Sequence, residues 1–230
     1  MKTIVFRICS WLQSWGVHSK YTIRNTNNEP TKSGIIGMIG NAMGVHDYDS
    51  ELYDKLRCSP MAVRVEREGD VIKDYHIASG FRNLQGKSKT GSLPTDRYYL
   101  QNAFFYVAMT MDNSLAEEVA YAVRHPQSQL YFGRKCCVPV FPVLVGTYDS
   151  EDLIDVLKSI KPNSLEKEFI EQGFTEYNKI KRFIFETTER TIMGDDVRDI
   201  PISEKCYSER RVAQEFIAVN TEDAECTSQG

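Results

Sequence analysis

Pro30-Thr-Lys-Ser33 combines a lysine and two hydroxyls at the predicted start of a helix. Free backbone N–H groups at a helix N-terminus attract anions, and the Lys32 ammonium adds a positive charge. A nucleotide-binding P-loop also requires glycines six and one residues before its lysine, where this chain has Thr26 and Thr31. The segment therefore predicts a site for one phosphate group of a nucleic-acid backbone, and not a nucleotide hydrolase.

Two further segments carry clustered cations. Tyr131-Phe-Gly-Arg-Lys135 places two cations beside a glycine and two aromatic residues. This pattern fits phosphate contacts with base stacking nearby, and it fits equally a solvated turn whose aromatic rings belong to the core. Residues 78–98 have the composition of a loop or flexible arm, and they carry four cations against one acid: Arg82, Lys87, Lys89 and Arg97.

Acid–base chemistry has one candidate, the run Asp74-Tyr75-His76. A metal-free ribonuclease needs a base such as histidine with a tyrosine or lysine as partner, so Tyr75 and His76 are the candidate catalytic pair. The alternative is a structural histidine. The six cysteines include no CxxC spacing, so the sequence predicts no zinc site and reduced thiols.

The charge of the chain is unevenly divided. Residues 1–150 hold 17 Lys/Arg against 14 Asp/Glu, whereas residues 151–230 hold 11 against 18, so the net charge of −4 averages two unlike halves. Any polyanion site is therefore expected in the first half. The sequence shows neither an apolar run of membrane-spanning length nor a secretory signal, which predicts a cytoplasmic protein.

The elements that must position these residues follow from periodicity and turn signals. We expect a strand at 2–9, a helix at 31–44, and a hairpin of strands 61–67 and 71–77 around residues 68–70. A strand at 101–111, a helix opened by a Ser114–Glu117 capping box, and a proline-bearing edge strand complete a βαββαβ order, which predicts a ferredoxin-like fold. Helices at 151–160 and 165–172 and strands at 181–188 and 215–220 are expected beyond it.

The predicted helix at 31–44 carries small residues along one face, namely Ser33, Gly37, Gly40 and Gly44. Each glycine costs the helix roughly 1 kcal/mol relative to alanine, so the stripe indicates close approach by another backbone. Packing of the helix on the sheet and close approach by a ligand are both consistent with it.

Six segments, in this order, resemble the Cas-five family of type I-E CRISPR Cascade subunits, within the RAMP superfamily. They are Leu12-Gln-Ser-Trp-Gly16, Arg24-x-Thr26, Pro30-Thr-Lys-Ser-Gly34 with Ile-Ile-Gly37, Asp74-Tyr-His76, Arg97-x-Tyr99-Leu100 and Gly133-Arg-Lys-Cys136. The resemblance covers residues 1–150 and extends only thinly into the acidic half.

The resemblance implies an α+β fold. It comprises a modified ferredoxin-like (RRM-like, RAMP) domain at 1–150, with an inserted thumb hairpin at about 78–98, and a smaller acidic β-containing subdomain at 151–230. It implies a subunit that binds and caps the 5′ handle of crRNA, contacts the Cascade backbone and large subunits, and meets target DNA only through the complex.

The same resemblance implies no cofactor, no metal and no catalysis, although subtype I-C relatives cut repeat RNA, which keeps a metal-independent endoribonuclease as the alternative. Together with the cationic segments, it gives the expected RNA-binding residues as Gln13, Ser14, Trp15, Ser19, Arg24, Thr26, Thr31, Lys32, Ser33, Arg82, Lys87, Lys89, Arg97, Gly133, Arg134 and Lys135.

Overall fold

The computed structural model describes residues 1–16, 22–47, 50–80, 86, 91–172, 178–188, 194–203 and 206–219. These residues form two β-sheets and five helices. Four of the predicted RNA-binding residues, Ser19, Arg82, Lys87 and Lys89, lie outside the described residues. Within the described part of the chain, no helix is both long and apolar enough to span a bilayer.

The main sheet has seven strands, four in a ferredoxin-like part and three from the C-terminal segment. Its ferredoxin-like part consists of β4 (Met61–Arg67), β7 (Phe104–Met111), β1 (Lys2–Cys9) and β8 (Leu144–Tyr148), all paired antiparallel. Every residue of β7 is buried, as expected for a central strand covered on both faces. The predicted ferredoxin-like α+β fold is confirmed, and β8 lies at the edge of the sheet. The predicted strand does not contain its prolines, however, because Pro139 and Pro142 precede β8.

The C-terminal strands extend this sheet beyond β4. Strand β9 (Ile180–Glu186) pairs with β4, and β11 (Cys206–Ala218) pairs with both β9 and β10 (Gly194–Ser203). The sequence predicted β9 and the end of β11 but missed β10. The division of the chain into domains at residue 150 stays a prediction.

A second sheet contains β5 (Asp70–Ser79), β6 (Ser92–Gln101), β2 (Leu12–Gln13) and β3 (Ile23–Arg24). The predicted hairpin of 61–67 with 71–77 is wrong. Because β4 is buried from Met61 to Glu66, it takes a central place between β7 and β9, whereas the more exposed β5 leaves the sheet and pairs with β6. The predicted strand at 101–111 is divided by Asn102, whose φ of 58° breaks the extended backbone.

Helices cover both faces of the main sheet. One face is covered by α1 (Lys32–Met43), α2 (Glu51–Cys58) and α3 (Asn113–Arg124), and the other by α4 (Leu153–Ser159) and α5 (Ser164–Glu171). Successive residues of β1 point to opposite faces. Ile4, Phe6 and Ile8 therefore pack with the first group of helices, and Val5 and Cys9 pack with the second.

The N-termini of α1 and α3 are capped in different ways. The Thr31 hydroxyl caps α1, accepting a hydrogen bond from Gly34 N at 3.2 Å. The predicted Ser114–Glu117 capping box does not form. Helix α3 begins two residues earlier than that box requires, so Asp112 takes the N-cap position, and the Ser114 hydroxyl bonds Glu118 instead.

Candidate functional site

A cleft of about 350 Å³ opens beside the N-terminal half of α1. One wall is the exposed face of α1 with Ser33, Gly37 and Asn41, and a second is formed by Ser14 and Gly16. The turn at 131–133 and the β10–β11 hairpin complete its border. Segments far apart in the chain therefore converge on one space, as binding sites commonly require.

The Leu12–Gly16 segment builds the second wall from buried side chains. Trp15 is only 1% exposed and packs its ring on Gly34, where an added Cβ would lie 2.7 Å from the indole. The Gln13 side chain donates to Ala103 O at 2.8 Å and accepts from Trp15 Nε1 at 3.0 Å. These two residues therefore position the cleft wall, which corrects the prediction that they face RNA. Of the three predicted RNA-binding residues in this segment, Gln13, Ser14 and Trp15, Ser14 is the one that lines the cleft, next to Gly16.

The basic turn is fixed against this wall by a glycine. Gly133 has a φ of +81°, and a Cβ there would lie 1.7 Å from Ser14 O. Phe132 O accepts a hydrogen bond from Ser14 N at 3.1 Å, which holds the two segments together. Phe132 belongs to the core, as the structural interpretation of the turn expects, while Arg134 is half-buried and Lys135 is exposed. Phosphate contact by this turn stays a prediction.

The small-residue stripe of α1 divides into internal and open positions. At Gly40 an added Cβ would meet the Tyr53 hydroxyl at 2.1 Å, and at Gly44, the left-handed C-cap, it would meet Gln127 at 2.1 Å. At Gly37 it would meet nothing within 4 Å. Helix packing therefore explains Gly40 and Gly44, whereas Gly37 leaves room in the cleft.

The N-terminus of α1 holds an anion, as the sequence predicts, but the anion is a carboxylate of the same chain. Lys32 N donates to Asp199 Oδ2 at 2.7 Å, and Lys32 Nζ lies 2.9 Å from Glu186 Oε1. The Lys32 side chain is 2% exposed. This corrects the prediction of a phosphate ligand at Lys32, because its charge is already balanced inside the protein. Thr31 and Ser33 still border the cleft.

Three arginines gather near the Gly133 turn. Arg24 and Arg97 are neighbours in the parallel pairing of β3 with β6. Arg134 donates to Arg24 O at 3.1 Å and stacks on the Tyr99 ring, with 4.4 Å from Cζ to the ring centroid. Neighbouring like charges repel, so this arrangement favours a bound anion. Arg97 Nε and Arg134 Nη1 are also buried, and neither has a hydrogen-bond partner among the residues that the structure describes.

The remaining predicted residue near the turn, Thr26, serves the structure. Its hydroxyl accepts from Trp15 N at 2.8 Å and donates to Asn27 O at 3.0 Å. It therefore anchors the chain beyond the Leu12–Gly16 segment. Burial, and after it the adjacent Cys136 thiol, raise the pKa of Cys137 to about 12, so Cys137 remains a neutral thiol at physiological pH.

Tyr75 and His76 do not form a joint site. Successive residues of a strand point to opposite faces, so on β5 the 60%-exposed Tyr75 lies on one face of the hairpin and His76 on the other. His76 Nε2 pairs with Asp74 Oδ2. In the described part of the chain, no cluster of three or more His, Cys, Asp or Glu side chains has an arrangement that could hold a metal ion.

Sequence reasoning missed the contribution of the acidic half to the cleft. Pro201 and Tyr207, which lie opposite each other in the β10–β11 hairpin, line its border, as does Asn41 of α1. Local sequence carries no signal for this, because the contact depends on where β10 and β11 join the sheet.

The ferredoxin-like sheet, the β5–β6 hairpin inserted between its strands β4 and β7, and the cleft beside α1 define a modified RRM-like protein of the RAMP class. The family described as CRISPR-associated protein (Cas_Cas5) matches residues 3–218. The chain belongs to this family.

Relatives agree with this assignment. The CRISPR system Cascade subunit CasD of Escherichia coli (strain K12) is 28% identical over 174 residues, covering 69% of this chain and 77% of that protein. A chain of a solved CRISPR RNA-guided surveillance complex superimposes with a TM-score of 0.76 at 27% identity, covering 94% of this chain and 90% of the other. A crystal structure of a Cas protein gives a TM-score of 0.69 at 28% identity, with coverages of 94% and 95%.

Proposed function

We propose that this protein is a subunit of a Cascade-type CRISPR RNA-guided surveillance complex, in which it binds and caps the 5′ handle of crRNA and links the backbone and large subunits. The observation that carries the proposal is the open cleft beside Gly37, with Arg24, Arg97 and Arg134 near the Gly133 turn that borders it. The relatives support the assembly, since one is a Cascade subunit and another belongs to a surveillance complex.

The cleft suits a bent single strand of RNA. Single-stranded RNA is recognised through phosphate contacts and through bases that leave the stack, and both need a groove that a backbone can approach closely. Gly16 and Gly37 leave open space on two walls. Apart from its chain neighbours and, at Gly37, the backbone of α1, an added Cβ at either position would lie more than 4 Å from the atoms of the described residues. Arg24, Arg97 and Arg134 supply the positive charge for phosphates.

A glycine replacement tests whether a ligand occupies the cleft. Gly37→Ala is expected to stabilise the free protein by roughly 0.5–1 kcal/mol, because alanine is the better helix former and its Cβ meets no atom. The same methyl group should weaken binding of the crRNA handle, and Gly37→Leu should weaken it about tenfold or more by filling the cleft. Thermal unfolding and fluorescence anisotropy with labelled handle RNA measure the two effects.

Ser114→Ala on the exposed first turn of α3 is the matched control for Gly37→Ala. It alters a helix away from the cleft and should leave RNA affinity unchanged. Wild-type affinity in Gly37→Leu would contradict binding in the cleft.

The arginines predict a specific salt dependence. A single-stranded site loses affinity with salt at a slope of about 0.7 per neutralised phosphate. Arg134→Ala should reduce that slope by about 0.7, whereas Arg134→Lys should preserve it and lower affinity, since lysine keeps the charge but loses the planar stack on Tyr99. Titrations at several salt concentrations check this, with the exposed Arg124→Ala as control. An unchanged slope in Arg134→Ala would show that Arg134 touches no phosphate.

We further propose that the subunit has no catalytic role, because Tyr75 and His76 lie on opposite faces of β5. The alternative is a metal-independent endoribonuclease that uses the exposed His76–Asp74 pair. Incubation of the pure protein with repeat RNA in EDTA should leave the RNA intact. Cleavage that His76→Ala abolishes would replace the proposal with the alternative.

A further inference from the structure

Four charged side chains join the N-terminus of α1 to the C-terminal strands. Arg210 of β11 holds Asp199 of β10 with two hydrogen bonds, Nε to Oδ1 at 2.6 Å and Nη2 to Oδ2 at 2.9 Å. The same Asp199 Oδ2 accepts from Lys32 N at 2.7 Å. Glu186 of β9 completes the group, contacting Lys32 Nζ at 2.9 Å and Arg210 Nη1 at 3.3 Å. We call these four residues the Asp199 network.

The Asp199 network is balanced and poorly accessible to water. It contains two positive and two negative side chains, and the side chains of Asp199, Lys32 and Arg210 are 2%, 2% and 9% exposed. Charge-assisted bidentate hydrogen bonds fix geometry as well as adding energy. Removal of one partner would leave a buried charge uncompensated. The network therefore fixes where the β10–β11 hairpin sits relative to α1.

That position determines one border of the cleft. Pro201, two residues after Asp199, is paired with Tyr207 across the hairpin, and both line the cleft opposite α1. Arg57 of α2 donates to Pro201 O and holds the same point from another side. This wall of the cleft therefore comes from residues 151–230, the half with the excess of negative charge. The other walls come from residues 1–150, the half with the excess of positive charge.

We infer that Asp199 and Arg210 are positioning residues that hold the β10–β11 hairpin as a wall of the RNA-binding cleft, with Tyr207 as the residue of that wall that contacts RNA. This inference rests on the proposed function. It assigns to the acidic half a direct part in RNA recognition. Tyrosine rings commonly stack on unpaired bases, and Tyr207 is 43% exposed.

The test uses the full chain and a fluorescein-labelled RNA that comprises the repeat-derived 5′ segment of the crRNA. Asp199→Asn, which keeps the shape but removes the charge, is expected to weaken RNA binding about tenfold at a temperature where circular dichroism shows the variant folded. Tyr207→Ala is expected to weaken binding similarly while leaving the unfolding midpoint near that of the wild type. Bound RNA should also slow amide hydrogen exchange in β10 and β11 of the wild type.

Asp196→Asn is the matched control. Asp196 lies on the same strand, opposite Arg211 and 3.8 Å from it, but its side chain is 66% exposed. Its replacement should change RNA affinity less than about twofold, since exposed ion pairs contribute little. A purely structural role for Asp199 would lower the unfolding midpoint without changing affinity in the folded variant.

The outcomes separate this inference from the proposed function. If wild-type protein binds the RNA and Gly37→Leu does not, while Tyr207→Ala binds normally and RNA leaves exchange in β10–β11 unaltered, the inference is overturned and the proposed function stands. If wild-type protein does not bind the RNA, the proposed function falls. Should Asp199→Asn fail to fold, Tyr207→Ala and the exchange measurement decide the inference alone.

Discussion

Replacement of Gly133 by alanine is expected to lower the free energy of unfolding by about 3 kcal/mol or more and to remove most of the affinity for RNA. The left-handed backbone at Gly133 alone costs a non-glycine residue roughly 1–2 kcal/mol. The added Cβ would also lie 1.7 Å from Ser14 O, so the turn has to move away from the cleft wall. That movement displaces Arg134, which lies next in the chain and holds Arg24 O.

Gly80→Ala provides a matched control for the Gly133 experiment. Gly80 has a similar φ of +65°, but a Cβ there would contact nothing within 4 Å. Its replacement should therefore cost only the backbone penalty of about 1–2 kcal/mol. Urea unfolding of both variants, with anisotropy titrations of the crRNA handle, gives the comparison. Equal stability losses in the two variants would show that contact with Ser14 contributes nothing.

Replacement of Arg64 by alanine is expected to destabilise the protein by about 3–5 kcal/mol. Arg64 is completely buried in β4, where it forms an ion pair with the equally buried Glu66. Its guanidinium also donates to Leu157 O and Ile160 O, so it binds the end of α4 to the sheet. Alanine would leave two carbonyls without this donor and Glu66 with Lys181 as its remaining cation, 3.2 Å away.

Destabilisation by Arg64→Ala should appear as a lower urea concentration at the midpoint of unfolding. Arg124→Ala, an exposed change in the last turn of α3, should alter stability by no more than about 0.5 kcal/mol. RNA affinity of folded Arg64→Ala should remain close to that of the wild type, because Arg64 lies on the α4 side of the sheet, away from α1. A destabilisation below about 1 kcal/mol would contradict the role given to the buried pair.

Much of the ferredoxin-like unit was predictable because the sequence patterns that mark its strands and helices involve only neighbouring residues. Apolar β-rich residues indicated β1, and the hydroxyls of Thr31 and Ser33 after Pro30 indicated the start of α1. The hairpin of 61–67 with 71–77 failed because turn residues show where a chain reverses, but not which strand becomes the neighbour. Burial of both faces of β4 decided that pairing.

The candidate site was likewise predictable only in part from the sequence. Sequence motifs brought the Leu12–Gly16 segment, the start of α1 and the Gly133 turn to attention, and the structure places all three around one cleft. The motifs did not distinguish residues that face the cleft from those that build it. Trp15 and Lys32 have residue types suited to stacking and phosphate contact, yet their neighbours in space, Gly34, Glu186 and Asp199, keep both inside the protein.

The sequence by itself determined the family resemblance, the ferredoxin-like order of elements and the concentration of cationic motifs in the first 150 residues. Those properties depend on composition, short spacings and local backbone preferences. Only the tertiary structure decided that Gly37 faces open space and that Pro201 and Tyr207 line the cleft. It also decided that Asp199, from the acidic half, accepts a hydrogen bond from the first backbone N–H of α1. The physical reason is that burial and charge pairing depend on residues more than 150 positions apart, as with the ion pair of Lys32 and Glu186.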